Sequence, residues 1–188
     1  MPTHALKRAL AMTLATLLAC FGAFLLAVSG LPERQEFTGF IDSLGVFVAP
    51  EIGAQAPAID IPTLSGQSFK SGNTQAQLTV INFWATWCGP CRAEMADLQA
   101  FHADYGNRVQ IVGINAGEPP GQVTAWVSEL GLTFDITIDY DGQINEQFRV
   151  RGLPTTYVID SKGFIVNIFY GPITYQTLEQ ILIQQTAE

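Results

Sequence analysis

The sequence predicts an α/β fold built on one mixed β-sheet. From residue 78 onward, apolar runs of strand character alternate with helical patterns, as in units that build a parallel sheet. The run Leu78–Trp84 is mostly apolar, which is typical of a strand that is covered on both faces. Near the C-terminus, two strand patterns flank Asp160–Gly163 and a helical segment follows them, so an antiparallel hairpin completes the predicted sheet.

The individual elements can be assigned in order along the chain. Two short strands separated by a turn at Gly66 precede the buried run, and the first long helix begins just after that run ends. We expect strands over residues 56–61, 67–69, 78–84, 108–115, 134–138, 155–159 and 164–169. We expect helices over residues 90–105, 144–148 and 175–184, and a further helix that is opened by residues 117–121 and runs to Leu130.

Residues 31–55 precede these elements as a linker with some amphipathic character. Phe37, Phe40, Ile41 and Leu44 are at helical spacing, which predicts a short helix that packs on the domain. Acidic residues in the same segment argue against a helix that lies on an anionic membrane surface.

The N-terminus has the features of a membrane anchor. Residues 9–29 carry no charge, and a helix needs about 20 apolar residues to cross the hydrocarbon core. Lys7 and Arg8 precede this run, and the positive-inside bias keeps them in the cytoplasm. We therefore expect a single transmembrane helix within residues 1–29, a juxtamembrane linker over 30–52, and a domain over 53–188 on the outer side of the cytoplasmic membrane.

Two alternatives for the N-terminal segment stay open. The first is a cleaved signal peptide, for which Ala27-Val28-Ser29 offers a weak small-x-small cleavage pattern. The second is a lipoprotein, because Leu17-Leu18-Ala19-Cys20 resembles a bacterial lipobox that would place a lipid on Cys20. Against the second, the residues after Cys20 stay apolar. All three interpretations place the domain outside the cytoplasm.

The charge of the chain argues against a nucleic-acid partner. The 188 residues carry a formal net charge of -8, and all 17 acidic residues lie beyond Gly30. Such a surface repels phosphate backbones. With 48% hydrophobic residues and no low-complexity tract, the region beyond the linker is expected to form one globular domain.

The motif Trp87-Cys88-Gly89-Pro90-Cys91 is placed where a dithiol is reactive. It ends the predicted buried strand and opens a helix, whose free N–H groups and dipole stabilise a thiolate. Cys88, nearest the helix start, is expected to be the exposed nucleophile, and Cys91, one turn in, the buried resolving thiol. Pro90 suits the first helical turn, where its missing N–H is not needed.

Other uses of these cysteines fit the sequence less well. A zinc site needs about four ligands, and there is no second C-x-x-C, while His4 and His102 are the only histidines. Attachment of haem requires C-x-x-C-H, and Arg92 stands at the histidine position. A purely structural disulfide would close a very short loop and stabilise the fold little. We therefore expect no metal and no cofactor beyond a redox-active Cys88–Cys91 disulfide.

Four segments together resemble the TlpA/ResA/CcmG type of membrane-anchored thiol–disulfide oxidoreductase, within the wider redoxin and AhpC/TSA-related superfamily. The resemblance covers about residues 53–184. It implies a thioredoxin-like fold with an N-terminal strand extension and an added β–α segment within residues 108–138. The segments are GAQAPAIDIPTLSGQSF, INFWATWCGPCRAEM, VGINAGE and RVRGLPTTYVIDSKG.

The resemblance also implies roles for residues around the motif. Pro154 should be the cis-proline that faces the cysteine pair, and Leu153 should offer main-chain hydrogen bonds to an extended client. Trp87, with Gly89 and Pro90, should contact the client and shield the thiols. Trp84 and Trp87 are both expected to pack around the site.

Glu94 is a candidate proton carrier, because it lies one helical turn after Cys91. In the resembling group an acidic residue at this position modulates the thiols; the alternative is a carboxylate favoured only by the helix dipole. Asn82 stands where thioredoxin has a buried aspartate, and an amide cannot act as a general base. This makes Glu94 or water the candidate for deprotonating Cys91.

The sequence therefore predicts a reductase of disulfides in exported proteins. The resemblance implies a membrane electron donor and apocytochrome c as a client, in cytochrome c maturation. One alternative is a peroxiredoxin-like peroxidase with antioxidant activity, although the Pro-x-x-x-Thr-x-x-Cys signature is absent because Thr86 is only two residues before Cys88. Another is a redox-inert binding or chaperone module that uses the groove beside Pro154.

Overall fold

The computed structural model describes residues 12–18, 20–21, 39–71 and 76–186. The chain divides into two compact units, Met1–Thr38 and Gly39–Glu188. In the first, residues 12–18 and 20–21 are helical. Within the described ranges, no helix has both the length and the apolar character needed to cross a membrane. Most of the predicted transmembrane segment, residues 9–29, lies outside the described residues.

A five-stranded mixed sheet forms the centre of the second unit. Its strand order is β7–β6–β5–β8–β9. The central strand β5 pairs in parallel with β6 and antiparallel with β8, which makes the sheet mixed as predicted. The strands are β5 (Leu78–Trp84), β6 (Val109–Asn115), β7 (Asp135–Ile138), β8 (Thr155–Asp160) and β9 (Ile165–Tyr170).

Four helices connect or follow these strands. Two of them, α1 and α4, pack against each other, and α1 also packs on β6. Along the chain, α2 and β7 follow β6 and precede β8, in the region where the resemblance places an added β–α segment. The helices are α1 (Gly89–Tyr105), α2 (Pro120–Leu130), α3 (Gln143–Gln147) and α4 (Tyr175–Thr186). This combination of sheet and helices is the thioredoxin-like fold.

Successive residues of β5 supply two separate cores, because side chains alternate between the faces of a strand. Val80 and Trp84 belong to the cluster that contains the buried residues of α1, α2 and α4. Ile81 and Phe83 belong to a second cluster, on the opposite face. Every residue of β5 is buried, so this strand anchors the motif that follows it.

The region before β5 contains two short hairpins. Strands β3 (Asp60–Pro62) and β4 (Ser68–Lys70) pair antiparallel around the predicted turn, but the strand predicted over residues 56–61 begins only at Asp60. Strands β1 (Phe40–Ile41) and β2 (Phe47–Val48) pair in the same way, so the short helix predicted from helical spacing is wrong over residues 40–44. The reason is local: the Asp42 side chain accepts hydrogen bonds from Leu44 N and Val46 N, both at 2.9 Å, and closes a turn instead.

Candidate active site

Cys88 and Cys91 form a disulfide at the N-terminus of α1. Cys88 is the N-cap residue, and its Sγ accepts a hydrogen bond from Cys91 N–H at 3.1 Å. Pro90 occupies the first turn of the helix, as predicted. The motif therefore connects the C-terminal end of a buried strand to the positive end of a helix dipole, where a thiolate is stabilised.

The two sulfur-bearing residues differ in accessibility, but less than expected. Cys91 is fully buried, while Cys88 is 5% exposed. Cys88 is thus the more accessible of the pair, but in this disulfide state it is not the openly exposed residue that the sequence predicts. Because so little of Cys88 is exposed, the residues around it limit how another molecule can approach its sulfur.

The loop before β8 meets the motif at the same edge of the sheet. The Leu153–Pro154 peptide bond is cis. Phe83 pairs with Thr155, so the residues after β5 and those before β8 lie side by side. Leu153 packs against the core cluster that holds both cysteines. The Pro154 carbonyl accepts from Gly171 N–H at 2.9 Å, whereas Leu153 makes no main-chain hydrogen bond to any other described residue.

Glu94 lies inside the core rather than on the helix surface. It is 2% exposed. Its Oε1 accepts a hydrogen bond from Asn82 Nδ2 at 2.7 Å, and its Oε2 accepts one from Ile173 N–H at 2.8 Å. Burial raises the pKa of this carboxyl to about 7, although both hydrogen bonds oppose the shift. A carboxyl with this pKa can take up or release a proton near neutral pH.

Asn82 links Glu94 to β8, the strand that follows the cis-proline. Its Nδ2 also lies 2.9 Å from Thr156 Oγ1, so one amide group contacts both α1 and β8. Its Oδ1 is buried and has no hydrogen-bond partner among the described residues. Asn82 therefore stabilises the ionised form of Glu94 without being able to carry a proton itself.

The two tryptophans of the motif region have different environments. Trp84 is fully buried and stacks on Trp126 with ring centroids 4.5 Å apart. Trp87, in contrast, is 72% exposed. The expectation that Trp84 packs is confirmed, but Trp87 does not pack in this structure. Its indole is free to contact another molecule.

A cluster around Glu118 was missed by the sequence reasoning. The Glu118 carboxylate accepts hydrogen bonds from Thr86 N and Asn115 Nδ2, both at 2.7 Å. It also accepts from Thr86 Oγ1 at 2.5 Å and Gln122 Nε2 at 2.9 Å. The available signal was the segment VGINAGE, which places a carboxylate just after the carboxyl end of β6, beside the end of β5. Its partner Thr86 is 32 residues away in sequence.

The described part of the chain contains no cluster of three or more His, Cys, Asp or Glu residues with the arrangement of a metal site. At this edge of the sheet, the groups suited to thiol chemistry are the two cysteines, the buried Glu94 carboxyl and the main chain beside Pro154.

Comparison with known proteins gives concordant matches. The AhpC/TSA family profile matches residues 52–168. The thioredoxin-like protein YneN of Bacillus subtilis (strain 168) is 38% identical over 133 residues, which is 69% of this chain and 78% of that protein. The thiol-disulfide oxidoreductase ResA of Geobacillus kaustophilus (strain HTA426) is 33% identical over 135 residues, which is 71% of this chain and 78% of that protein.

Solved structures resemble the chain as well. StoA from Bacillus subtilis superposes with a TM-score of 0.59 at 26% identity, covering 66% of this chain and 95% of that one. A thiol:disulfide interchange protein of the thioredoxin family from Chlorobium tepidum TLS superposes with a TM-score of 0.60 at 25% identity. The superposition covers 70% of this chain and 94% of that one. The chain therefore belongs to the AhpC/TSA family, as a thioredoxin-fold thiol–disulfide oxidoreductase.

Proposed function

We propose that this protein is a membrane-tethered reductase of disulfides in exported proteins. The observation that carries the proposal is the position of the Cys88–Cys91 disulfide at the start of α1, beside the cis-proline loop. The names of its relatives support thiol–disulfide exchange as the reaction. The uncharged run over residues 9–29 supports a membrane tether with the domain outside the cytoplasm.

In the proposed reaction, the Cys88 thiolate attacks one sulfur of a client disulfide. The client S–S bond breaks, a mixed disulfide to Cys88 forms, and the displaced client thiolate takes a proton. Cys91 then loses its proton and attacks Cys88 Sγ. The second client thiol leaves, and the Cys88–Cys91 disulfide remains. The client is reduced by two electrons and the protein is oxidised by two.

Main-chain groups beside Pro154 are suited to hold the client. Since Leu153 has no main-chain partner in the described chain, its N–H and C=O can pair with an extended peptide, as in strand addition. The exposed Trp87, with Gly89 and Pro90, forms the other side of the approach to Cys88. A client would therefore lie between the two loops.

Glu94 is the proposed base for the resolving step. It is one turn from Cys91 on the buried face of α1, and its raised pKa lets it accept a proton near pH 7. When ionised, it also opposes a thiolate nearby by like-charge repulsion. Cys91 would then lose its proton mainly when Cys88 is already engaged in the mixed disulfide.

The proposed direction is reduction, because Gly89-Pro90 between the cysteines matches thioredoxin, whose potential is about −270 mV, rather than DsbA near −120 mV. A reductase outside the cytoplasm is oxidised in each cycle and has to be reduced again, so we infer a membrane protein as electron donor. Apocytochrome c is the proposed client, from the resemblance to the TlpA/ResA/CcmG type.

Trapping of the mixed disulfide tests the proposal. Full-length Cys91→Ser should accumulate a covalent complex with oxidised apocytochrome c that is released by reductant, since the resolving thiol is missing. Cys88→Ser should trap none. Complex formation by a non-cytochrome exported protein but not by apocytochrome c would reject the client alone. Equal disulfide reduction by wild type and Cys88→Ser would reject the mechanism.

A thiol peroxidase is the second candidate, favoured by the match to the AhpC/TSA family. The residues argue against it, because the Thr86 hydroxyl donates to Glu118 and is two positions from Cys88. The rate of Cys88 oxidation by hydrogen peroxide separates the candidates. A rate no faster than that of a free thiolate excludes the peroxidase.

A further inference from the structure

The loop between β5 and α1, residues 85–87, leads directly into the reactive disulfide and is held largely by one neighbouring segment. The Trp84 carbonyl, at its start, accepts from Ala116 N–H at 3.0 Å, and Thr86 N–H donates to Glu118 at 2.7 Å. Cys88 N–H donates to the Ala85 carbonyl at 3.2 Å, within the loop itself. Residues 115–118, which form the end of β6 and the three positions after it, therefore fix the loop from outside.

All the acceptor capacity of the Glu118 carboxylate is used. Oε1 accepts from the Thr86 hydroxyl and from Gln122, while Oε2 accepts from the Thr86 main chain and from Asn115. A carboxylate has about four lone-pair positions for hydrogen bonds. A glutamine would replace one acceptor oxygen by an NH₂ donor, so it could keep only part of this arrangement.

The carboxylate is ionised at neutral pH although it is nearly buried. Burial alone would raise the pKa of the Glu118 carboxyl, but the hydrogen bonds from Thr86 and Asn115 outweigh burial and hold it below the ordinary value. Two of the four donors belong to Thr86, so the charge and the position of the loop depend on each other.

We propose that Glu118 is a positioning residue for thiol–disulfide exchange at Cys88 with protein clients. This inference rests on the proposed function. The Glu118 carboxylate accepts hydrogen bonds from both the main chain and the side chain of Thr86. The adjacent Trp87, next to Cys88, is 72% exposed. A small disulfide needs only Cys88 Sγ, whereas a polypeptide client also needs the surface that this loop presents.

The experiment compares two substrates with the reduced full-length protein in detergent. The substrates are an extended peptide with one disulfide and hydroxyethyl disulfide. Since a small misplacement of reacting groups is costly, Glu118→Ala should slow reduction of the peptide by roughly tenfold or more and that of hydroxyethyl disulfide by less than about threefold. Glu118→Gln should fall between Glu118→Ala and wild type. Glu146→Ala, an exposed carboxylate on α3, is the matched control and should change neither rate.

Variants of Thr86 provide an independent test. Thr86→Ser keeps the hydroxyl donor and should retain both rates. Thr86→Val loses the hydroxyl and should slow reduction of the peptide more than reduction of hydroxyethyl disulfide. In the double variant Thr86→Val/Glu118→Ala, the two effects should not multiply, because they remove the same contact. Thermal unfolding of each oxidised variant gives the folded fraction by which the rates are corrected.

The outcomes separate this inference from the proposed function. A wild-type protein that fails to reduce the peptide contradicts the proposed function. A wild type that reduces it, with Glu118→Ala slowing both substrates equally or neither, overturns the positioning role alone. Multiplying effects in the double variant would overturn it as well.

Discussion

The Asn82 side-chain amide donates a hydrogen bond to Glu94 Oε1 over 2.7 Å and so joins β5 to α1 inside the core. The other carboxylate oxygen accepts from Ile173 N–H, just before α4. Both hydrogen bonds favour the ionised carboxylate, while burial favours the neutral acid and is the larger effect. Because burial outweighs the two hydrogen bonds, the pKa of Glu94 is about 7, in the range where thiol–disulfide exchange takes place.

Replacement of Glu94 by glutamine should change the pH dependence of the resolving step. In the wild type, the rate at which Cys91 releases a bound client should rise through an inflection near pH 7, as the carboxyl becomes able to accept a proton. Glu94→Gln keeps the shape of the side chain but cannot accept that proton. Stopped-flow release from a preformed mixed disulfide measures the step, and an unchanged inflection in Glu94→Gln would assign it to another group.

The same titration should appear in the stability of the oxidised protein. The pKa of Glu94 is raised from 4.5 to about 7 on folding, so the native state binds the proton more tightly than the unfolded state. The free energy of unfolding should therefore fall as the pH rises from 4.5 to about 7, and level off above that. The loss relative to Glu94→Gln should be on the order of 3 kcal/mol.

Urea unfolding at a series of pH values measures this difference. The Glu94→Gln variant is the reference for the wild type, since it retains every other titrating group. A constant difference between the two proteins across this range would mean that Glu94 keeps an ordinary pKa in the folded chain.

The two tryptophans should respond in opposite ways to substitution. Trp84→Ala removes a fully buried ring that stacks on Trp126, and should cost roughly 3–5 kcal/mol of stability. Trp87→Ala should change stability by less than about 0.5 kcal/mol, because the ring is exposed. It should nevertheless slow reduction of protein clients. Chemical unfolding and client reduction assays measure both effects; a large loss of stability in Trp87→Ala would contradict its exposed position.

Gly113 in β6 should not tolerate a methyl group. A Cβ there would lie 2.8 Å from Ile136 Cδ1 and 2.9 Å from Trp84 Nε1. Gly113→Ala should therefore destabilise the fold by about 1–3 kcal/mol through overpacking. Gly121→Ala is the control, since a Cβ at that exposed helical position meets nothing within 4 Å and should be neutral or stabilising. Equal thermal unfolding temperatures for the two variants would refute the close packing at Gly113.

Local sequence patterns predicted the elements that surround the motif. The strand Leu78–Trp84 has the predicted bounds, and α1 begins at Gly89, one residue before the predicted start. Both follow from signals carried by neighbouring residues: a continuous apolar run, and a proline in the first helical turn. The disulfide and the cis peptide bond at Pro154 agree with the family resemblance.

Two kinds of feature do not follow from periodicity: a turn closed by one side chain, and a contact between residues far apart in sequence. Phe40 and Ile41 are at helical spacing with Leu44, yet they pair with β2 because Asp42 closes a turn. The segment VGINAGE places Glu118 just after β6, but the residues beside it do not indicate its role, since its main partner Thr86 follows another strand. Glu94 was predicted as a site residue, but its hydrogen bond from Ile173 N–H joins residues that are 79 positions apart. Periodicity records neighbours along the chain, so it cannot show such contacts.

The reduction potential of the Cys88–Cys91 pair decides whether the protein reduces or forms disulfides in its clients. It can be measured on the full-length protein by equilibration with a thiol redox buffer, followed by alkylation of the free thiols. A reductase requires a potential well below about −200 mV, and we expect such a value. A potential near −120 mV, that of a strong oxidant such as DsbA, would show instead that the protein forms disulfides in its clients.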